Sequence, residues 1–224
     1  MKSNDIIITG CDTGLGRYLN HTIPASIGLN RKNSKDILAS DISYDCIIHC
    51  AFSRGKDGKD IDSIIEDNVL LTQKLLKLNH KKFIFISSVD VYAEEKNLYN
   101  SSKILCESMV ESCALNSLVI RCGAMLGNNM KSNSLTKLLT KNCLGNMTLH
   151  PGSSFYYILY SDIADFINYS LKNDVRGIID FVSSSPVTLG EIAKNWSLPS
   201  SFGTYLYTTP LVSNKKLQTI FPQA

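Results

Sequence analysis

An apolar strand that runs directly into a glycine-rich turn is the feature of this sequence that most restricts its fold. Residues 5–9 read Asp-Ile-Ile-Ile-Thr, glycines follow at Gly10, Gly14 and Gly16, and a helical pattern begins at Arg17. Glycines in such a turn let the backbone approach a pyrophosphate, and the helix N-terminus offers N–H groups and a partial positive charge. The order strand, turn and helix therefore predicts an α/β fold with a dinucleotide site. The candidate contacts are Gly10, Asp12, Thr13, Gly14, Leu15 and Gly16.

The end of the second predicted strand bears on which dinucleotide would bind. Residues 26–30 read Ser-Ile-Gly-Leu-Asn, and Arg31 and Lys32 follow. In dinucleotide folds an acid at this strand end holds the adenine ribose hydroxyls, whereas a basic residue accepts a 2′-phosphate. Because Asn30 ends the strand without an acid and two cations follow, the pattern favours NADP over NAD, with Asn30 and Arg31 as contacts. A solvated loop is the alternative interpretation of Arg31 and Lys32.

A turn and a further strand supply more candidate contacts. Segment 36–43 contains Asp41 and Ile42, which we expect to flank the adenine. Residues 45–51 read Asp-Cys-Ile-Ile-His-Cys-Ala and predict a buried strand. The candidate contacts here are Asp41, Ile42, Cys50, Ala51 and Phe52.

The same strand contains two cysteines and a histidine, which raises the question of a metal site. Side chains alternate between the two faces of a strand, so Cys46 and Cys50 share one face and His49 lies on the other. A single ion would not reach all three. The spacing favours buried core cysteines and a histidine at a strand end, and no metal is predicted.

The stretch from residue 83 to residue 113 carries the candidate catalytic groups. Phe-Ile-Phe-Ile at 83–86 predicts a strand buried on both faces, and two serines end it. Asn97 is placed to cap a helix over 99–113. Before this strand, apolar residues recur with helical spacing over 62–78, a predicted helix that contains Asn68.

Three side chains of this stretch are expected to converge. Positions four apart share one face of a helix, so Tyr99 and Lys103 point the same way, and Ser88 joins them if the helix starts beside the strand end. A neighbouring ammonium favours the phenolate, so we expect Lys103 to lower the pKa of Tyr99. Such a tyrosine donates and accepts protons in carbonyl or alcohol chemistry.

The remaining chain alternates between strands and helices, with a weaker rhythm after residue 128. The predicted strands and helices are: a strand at 118–121, a helix at 132–140, strands at 147–150 and 156–160, a helix capped by Ser161 and Asp162 and running to 171, a strand at 177–182, a helix at 189–196 capped by Thr188, and a helix at 214–221.

Composition excludes several classes of protein. The net charge is only +3 across 224 residues and no run of Lys or Arg resembles a nucleic-acid footprint, so a nucleic-acid partner is not expected. No run is long and apolar enough for a membrane span, and residues 1–9 are too polar for a signal peptide. The seven cysteines are scattered without a Cys-x-x-Cys pair, which is typical of reduced thiols in a cytoplasm.

Taken in order, these motifs resemble the extended branch of the short-chain dehydrogenase/reductase superfamily, the branch of nucleotide-sugar epimerases, dehydratases and reductases. The likeness runs from about residue 5 to residue 195. The matching segments are Thr9–Gly16, Asp45–Ala51, Asn68 with Thr72, Ile86–Tyr92, Tyr99 with Lys103, Arg121–Gly127, Tyr160–Asp162 and Phe181–Glu191.

The resemblance implies a fold and a set of roles. The fold would be a Rossmann-type doubly wound parallel sheet in a single NAD(P)-binding domain over 1–224, with 128–160 and 183–224 forming a small C-terminal substrate-binding portion. Tyr99 would be the general acid/base and Ser88 would orient the reacting carbonyl or alcohol. Lys103 would bind the nicotinamide ribose, and Asn68, Tyr99 and Lys103 would belong to the cofactor site.

Three reactions or roles stay open at this point. The first is reduction of a keto group on a nucleotide-linked sugar with NADP, or with NAD; the second is 4-epimerisation of such a sugar; the third is cofactor binding without catalysis. A 4,6-dehydratase is disfavoured because Val89 stands where such enzymes carry the first acid of a pair.

The glycine spacing differs from that of the extended branch, and the chain is short for that branch. Apolar positions on the helices over 62–78 and 99–113 would permit a homodimer.

Overall fold

Six parallel strands form the central sheet. A computed structural model describes residues 5–55, 60–128, 130, 147–198 and 201–222. The strands are β1 (Ile6–Thr9), β2 (Ser26–Leu29), β3 (Cys46–His49), β4 (Phe83–Ser88), β5 (Ser117–Cys122), β6 (Ala124–Leu126), β7 (Ser154–Phe155), β8 (Tyr157–Leu159), β9 (Gly177–Phe181) and β10 (Val187–Thr188). The main sheet has the order β2-β1-β3-β4-β5-β9, which confirms the predicted Rossmann-type α/β fold. Two-stranded pairs β10-β7 and β6-β8 lie beside it.

Helices cover both faces of the sheet. A π-helical segment, Ile65–Leu70, joins α3 to α4, and a 3₁₀ turn, Val89–Tyr92, follows β4. None of the helices within the described ranges is long and apolar enough to span a membrane. The helices are α1 (Gly14–Thr22), α2 (Ser34–Leu38), α3 (Ile61–Ile64), α4 (Leu71–Leu76), α5 (Leu98–Cys113), α6 (Tyr160–Lys172), α7 (Leu189–Asn195) and α8 (Lys215–Ile220).

The core lies on the two faces of the sheet because the central strands are apolar at successive positions. One face buries Ile8 and Ile48 against the helices that contain Leu19 and Phe166. The other face buries a second set of strand residues, including Phe85, against α4 and α5. A strand covered on both faces needs apolar residues in sequence rather than in alternation, as residues 6–8 and 83–86 have them.

The strand order fixes where a ligand cleft can form. From β1 the chain crosses to β2 on one side and then returns to β3 on the other. Loops that leave the carboxyl ends of β1 and β3 therefore diverge, and the space between them is where open α/β sheets bind ligands. Thr9 and His49, the last residues of these two strands, are directly paired in register.

Several expectations from the sequence need correction. Residues 147–150 form no strand; only Leu149 makes a single bridge, with Tyr205. The helix expected to be capped by Ser161 and Asp162 begins one residue earlier, at Tyr160, so these side chains lie inside its first turn. The helix predicted over 62–78 contains the π-helical segment. The helix predicted over 132–140 lies outside the described residues.

Candidate active site

A cleft of about 1490 Å³ opens at the carboxyl ends of the strands. It is lined at one end by the glycine-rich turn and at the other by Ser88 and Tyr99. The C-terminal part of the chain borders it, with Tyr205 and Tyr207 on its wall. Among the predicted site residues, those on the cleft wall are Gly10, Asp12, Thr13, Gly14, Leu15, Gly16, Asn30, Arg31, Cys50, Ala51, Phe52, Ser88, Tyr99 and Lys103.

The glycine-rich turn fits a pyrophosphate. Gly10 and Gly14 have positive φ angles of 70° and 58°, which an L side chain rarely adopts. A Cβ on Gly16 would lie 2.4 Å from the carbonyl oxygen of Gly10, so only glycine lets α1 approach β1 this closely. Thr13 precedes α1 without a side-chain cap, and no acid occupies the first turn of the helix. The N–H groups of that turn therefore face the cleft mouth as anion donors.

The adenosine end of the predicted cofactor site contains two acids, Asp12, which the sequence predicted as a contact, and Asp67, which it did not. Asn30 donates from Nδ2 to Oδ1 of Asp12 across 3.1 Å. Arg31, 90% exposed, lies 3.2 Å from a carboxylate oxygen of Asp67. Asp67 stands 36 residues away in the chain, and only the approach of the π-helical segment to β2 brings it here.

Asp41 and Ile42 do not line the cleft. They lie in the irregular segment between α2 and β3, where no strand forms, and Ile42 is 54% exposed. β2 is the edge strand of the sheet. Within the described residues, no further strand therefore lies next to it to hold Asp41 and Ile42 beside the cleft.

A buried, uncharged hydrogen-bond chain fixes the crevice between β1 and β3. The hydroxyl oxygen of Thr9 accepts the N–H groups of Cys50 and Ala51 at 3.1 and 2.9 Å. Its proton is then directed to Nδ1 of His49, 2.8 Å away. His49 donates from Nε2 to the Thr72 hydroxyl at 3.0 Å. Burial lowers the pKa of His49 to about 3, with a smaller effect from Lys103, so His49 is neutral and structural.

Asn68 lies outside the cleft wall and anchors the loop that follows β3. Its Oδ1 accepts the N–H of Ser53 at 2.7 Å, and its Nδ2 donates to the Ser53 carbonyl at 2.9 Å. Asn68 is fully buried within the π-helical segment. The side-chain amide thus makes the pair of backbone hydrogen bonds that a neighbouring strand would otherwise make, and it fixes the path of the loop at Ser53.

Ser88 and Tyr99 converge as the sequence predicted, but the electrostatics of Tyr99 differ from the expectation. Burial raises the pKa of Tyr99, and the charge of Arg54 and a contact with Ser88 only partly counter that rise. The sequence led us to expect a lowered pKa for Tyr99, whereas burial raises it here, and the Lys103 ammonium donates to the Ile86 carbonyl. Helical spacing placed both residues on one face but could not show where the flexible lysine side chain ends.

Lys103 is buried against carbonyl and aromatic groups. Its Nζ donates to the Ile86 carbonyl at 2.6 Å and lies 3.5 Å from the ring centroid of Phe52. The edge of the Phe52 ring meets the ring of Tyr99, with centroids 5.5 Å apart. Desolvation lowers the pKa of Lys103 to about 7, so the ammonium is a weak acid near neutral pH.

Sequence reasoning also missed three polar residues beside Tyr99. The guanidinium carbon of Arg54 lies 4.8 Å from the Tyr99 ring centroid. Asp90, in the 3₁₀ turn, accepts the hydroxyl of Tyr207 at 2.6 Å. Tyr207 is 117 residues from Asp90, and no motif marks it. Asp90 and Arg54 are close in sequence to recognised motifs, and this proximity is the signal that could have marked them as site residues.

A second polar network stabilises the strand ends next to the site. The Ser87 hydroxyl donates to Glu107, and Glu107 forms a bidentate pair with Arg121. Arg121 also donates to the Tyr92 hydroxyl at 2.6 Å, and Tyr92 donates to Asp180 at 3.1 Å. In the described parts of the chain, no group of three or more His, Cys, Asp or Glu side chains is arranged to hold a metal.

Comparison with solved structures finds the same fold at low identity. UDP-glucuronic acid 4-epimerase from Bacillus cereus, in complex with UDP-glucuronic acid and NAD, is 18% identical with a TM-score of 0.78, covering 98% of this chain and 93% of that one. UDP-N-acetylglucosamine 4-epimerase from Methanobrevibacter ruminantium is 18% identical with a TM-score of 0.75, covering 99% and 93%. The NADP complex of dTDP-4-dehydrorhamnose reductase from Bacillus anthracis is 14% identical with a TM-score of 0.79, covering 98% and 92%.

Comparison of the sequence alone gives the family. A search of curated proteins found no match. The family model described as "NAD dependent epimerase/dehydratase family" matches residues 17–177, which is more than half of the chain. This protein therefore belongs to the NAD-dependent epimerase/dehydratase family, and the glycine-rich turn, the parallel sheet and the meeting of Ser88 and Tyr99 in one cleft agree with that assignment.

Proposed function

We propose that this protein is an NAD(P)-dependent oxidoreductase that reduces a keto group on a nucleotide-linked sugar, or catalyses the reverse oxidation. The observation that carries the proposal is the meeting of Ser88 and Tyr99 in the cleft that the glycine-rich turn also lines. The similar solved structures, whose names include UDP-glucuronic acid and a 4-dehydrorhamnose reductase, support a nucleotide-sugar as substrate.

Each residue then has a defined task. A bound nicotinamide cofactor supplies or removes the hydride. Tyr99 gives its hydroxyl proton to the substrate oxygen during reduction and takes a proton back during oxidation. The Ser88 hydroxyl, which already accepts the N–H of Asp90 at 3.2 Å, donates to the same substrate oxygen and orients it. The N–H groups at the start of α1 hold the pyrophosphate.

The central test is the substitution Tyr99→Phe. It removes the proton donor while keeping the ring against Phe52 and Arg54, so we expect turnover of a nucleotide-linked keto sugar to fall roughly 10²–10⁴-fold. The measurement is steady-state oxidation of the reduced cofactor. Tyr169→Phe, on α6 and outside the cleft, is the matched control. Near wild-type turnover by Tyr99→Phe would sink the mechanism.

A 4-epimerase is the second candidate, because the similar structures from Bacillus cereus and Methanobrevibacter ruminantium are both 4-epimerases and the first contains NAD. An epimerase oxidises and re-reduces the same carbon, so it must retain its cofactor between the two steps. Protein purified without added cofactor should then carry NAD, and it should interconvert two sugars without net cofactor consumption. Net oxidation of NADPH or NADH favours the reductase. A protein that binds cofactor but turns over none of these sugars would be a binding protein.

The preference between cofactors rests on Arg31, for which we propose contact with the 2′-phosphate of NADP. Arg31 is paired with Asp67 at 3.2 Å, so this exposed pair must open first. Its strength is up to ~1 kcal/mol; Asp67→Asn should therefore tighten NADPH up to roughly fivefold and leave NADH unchanged. Arg31→Gln should weaken NADPH alone. Calorimetric titration gives both affinities, and equal or tighter NADH binding by the wild type would contradict the preference.

A further inference from the structure

Arg54 carries a positive charge on the cleft wall directly beside the candidate acid/base, at a position that none of the recognised motifs includes. Its guanidinium carbon lies 4.8 Å from the ring centroid of Tyr99, and the guanidinium contacts the Tyr99 hydroxyl, as Ser88 does. Arg54 is exposed and lines the cleft. Because the proposed reaction takes place at the Tyr99 hydroxyl, a substrate held there lies within reach of this guanidinium.

The backbone on both sides of Arg54 is fixed. Before it, Asn68 binds both the N–H and the carbonyl of Ser53. After it, the N–H of Gly55 donates to the Ser53 hydroxyl across 3.1 Å, and Gly55 has a φ of 70°, a conformation that other residues rarely adopt. The loop therefore presents Arg54 from a defined point, which is what recognition of a ligand requires.

The charge of Arg54 is not used within the described part of the chain. No carboxylate of the described residues forms an ion pair with it, although two other cations of the cleft wall, Arg31 and Lys74, each pair with an acid. Asp90, in the 3₁₀ turn after β4, accepts the Tyr207 hydroxyl instead at 2.6 Å. The guanidinium is thus available to an anionic ligand.

The chemistry of the guanidinium and its place in the cleft select the kind of anion. A guanidinium has several N–H donors in one plane, and it binds a carboxylate with two parallel hydrogen bonds. A nucleotide-linked sugar carries its diphosphate on carbon 1, which lies across the sugar ring from carbon 4. When carbon 4 reacts at Tyr99, the diphosphate is remote from Arg54, whereas a carboxylate on carbon 5 is next to the reacting carbon.

We propose that Arg54 is a specificity-determining residue that binds a carboxylate on the carbon next to the reacting carbon, so that the substrate is an acidic nucleotide-linked sugar, a uronic acid. The inference rests on the proposed function, because Tyr99 and Ser88 define where the reacting oxygen lies. It deepens that function by giving the sugar an anionic group besides its diphosphate. Arg54 takes part in no covalent step; it holds the carboxylate and thereby turns the reacting carbon toward Tyr99.

The test compares two sugars that differ only at the group in question. UDP-glucuronic acid carries the carboxylate, whereas UDP-glucose carries a hydroxymethyl group. Both are alcohols, so neither is oxidised when the protein is saturated with NADH or NADPH, and calorimetric titration gives their dissociation constants without turnover. Wild-type protein should bind UDP-glucuronic acid more tightly than UDP-glucose. Arg54→Gln should weaken UDP-glucuronic acid roughly 10–100-fold, the loss expected for a hydrogen bond between charged groups, and change UDP-glucose by less than about twofold.

Two further variants separate charge from geometry. Arg54→Lys keeps the charge but not the paired donors, so it should bind UDP-glucuronic acid with intermediate affinity. Lys172→Gln removes an exposed cation at the end of α6, outside the cleft, and it should bind both sugars as the wild type does. The affinity for the reduced cofactor should be the same in all variants, since α1 rather than Arg54 is assigned to the cofactor pyrophosphate.

Three results would overturn the proposal. The first is wild-type binding of UDP-glucuronic acid that is no tighter than that of UDP-glucose, absence of binding included. The second is an equal loss for both sugars in Arg54→Gln, which would place the guanidinium at the diphosphate; the third is a comparable loss of cofactor affinity, which would place it at the cofactor. Each leaves the proposed reaction standing, because a reductase of neutral keto sugars is compatible with all three, and the turnover of Tyr99→Phe tests that reaction separately.

Discussion

At the residue scale, Phe52 separates two side chains that the helix places on one face. Tyr99 and Lys103 are four residues apart on α5, yet the ring of Phe52 contacts both: its plane is perpendicular to that of the Tyr99 ring, and the Lys103 ammonium lies over its face. The lysine is buried with a carbonyl and two aromatic rings as its neighbours. These contacts favour the ammonium, but its removal from water outweighs them and lowers the pKa of Lys103 to about 7.

Burial of Lys103 should make stability depend on pH. Its pKa is about 7 in the folded protein and about 10.4 in an unfolded chain, so the unfolded state binds more protons between these values. Stability must then rise with pH across this window. Relative to Lys103→Met, the wild-type free energy of unfolding should gain up to about 1.4 kcal/mol per pH unit. Urea unfolding of both proteins at pH 7, 8 and 9 measures it. A difference that is flat or falls with pH contradicts the prediction.

Sequence reasoning predicted the residue types of the site better than their contacts. The positions of Ser88 and Tyr99 followed from strand and helix periods, because both periods are local. The ion pair of Arg31 could not be predicted from these periods, because Asp67 reaches Arg31 only through the packing of another helical segment. The direction of the Lys103 side chain depended on Phe52, whose contact with it is set by the loop after β3 rather than by any local period.

At the element scale, the approach of α1 to β1 depends on Gly16. A Cβ there would lie 2.4 Å from the Gly10 oxygen and 2.7 Å from the Thr9 oxygen, and both are backbone atoms that cannot move aside alone. Gly16→Ala should therefore push α1 away from the strand, cost about 1–3 kcal/mol of stability, and weaken cofactor binding. Denaturant unfolding and cofactor titration measure the two effects.

The neighbouring helix position gives the control for this prediction. Arg17→Ala places the same side chain one residue further along α1, where the position is exposed. It should change stability by less than about 0.5 kcal/mol. If Gly16→Ala changes the free energy of unfolding as little as Arg17→Ala does, the close contact between α1 and β1 is not the reason that position 16 requires glycine.

Elements with local signals were predicted well. The strand Phe83–Ser88 has its expected ends, and the caps at Asn97 and Thr188 both form reciprocal capping boxes. The π-helical segment was not predicted, because its apolar spacing resembles that of an ordinary helix. The turn expected at Asp41 and Ile42 lies in an irregular segment, as predicted, but no local pattern could show that it stays off the cleft wall.

At the scale of the whole molecule, one polar network, buried at Glu107 and reaching the surface at Tyr92, connects elements distant in the chain. Ser87 of β4, Glu107 of α5 and Arg121 of β5 are hydrogen-bonded, and Tyr92 extends the network to Asp180 of β9. The residues in such contacts are up to 88 positions apart in the chain, so no periodic pattern in the sequence predicts them. Parallel strands and helices were predictable, whereas this cross-linking of the sheet required the assembled fold.

Neutralising Glu107 should therefore destabilise the protein strongly. Glu107→Gln leaves the Arg121 guanidinium without its charge partner, and both side chains are largely buried. Breaking such a pair costs about 3–5 kcal/mol. Glu66→Gln, which disrupts the exposed pair with Lys74, should cost at most ~1 kcal/mol. Equal losses of unfolding free energy in the two variants would show that the buried network does not stabilise the fold as argued.

The anchoring of the loop after β3 has a consequence for how this protein can diversify. Its course is set by Thr9 and Asn68, which lie outside the loop, and they bind its backbone rather than its side chains. The exposed Arg54 can therefore be exchanged without altering the path of the main chain. A library that randomises this position on a fixed backbone would sample new side chains on the cleft wall at little cost in folding.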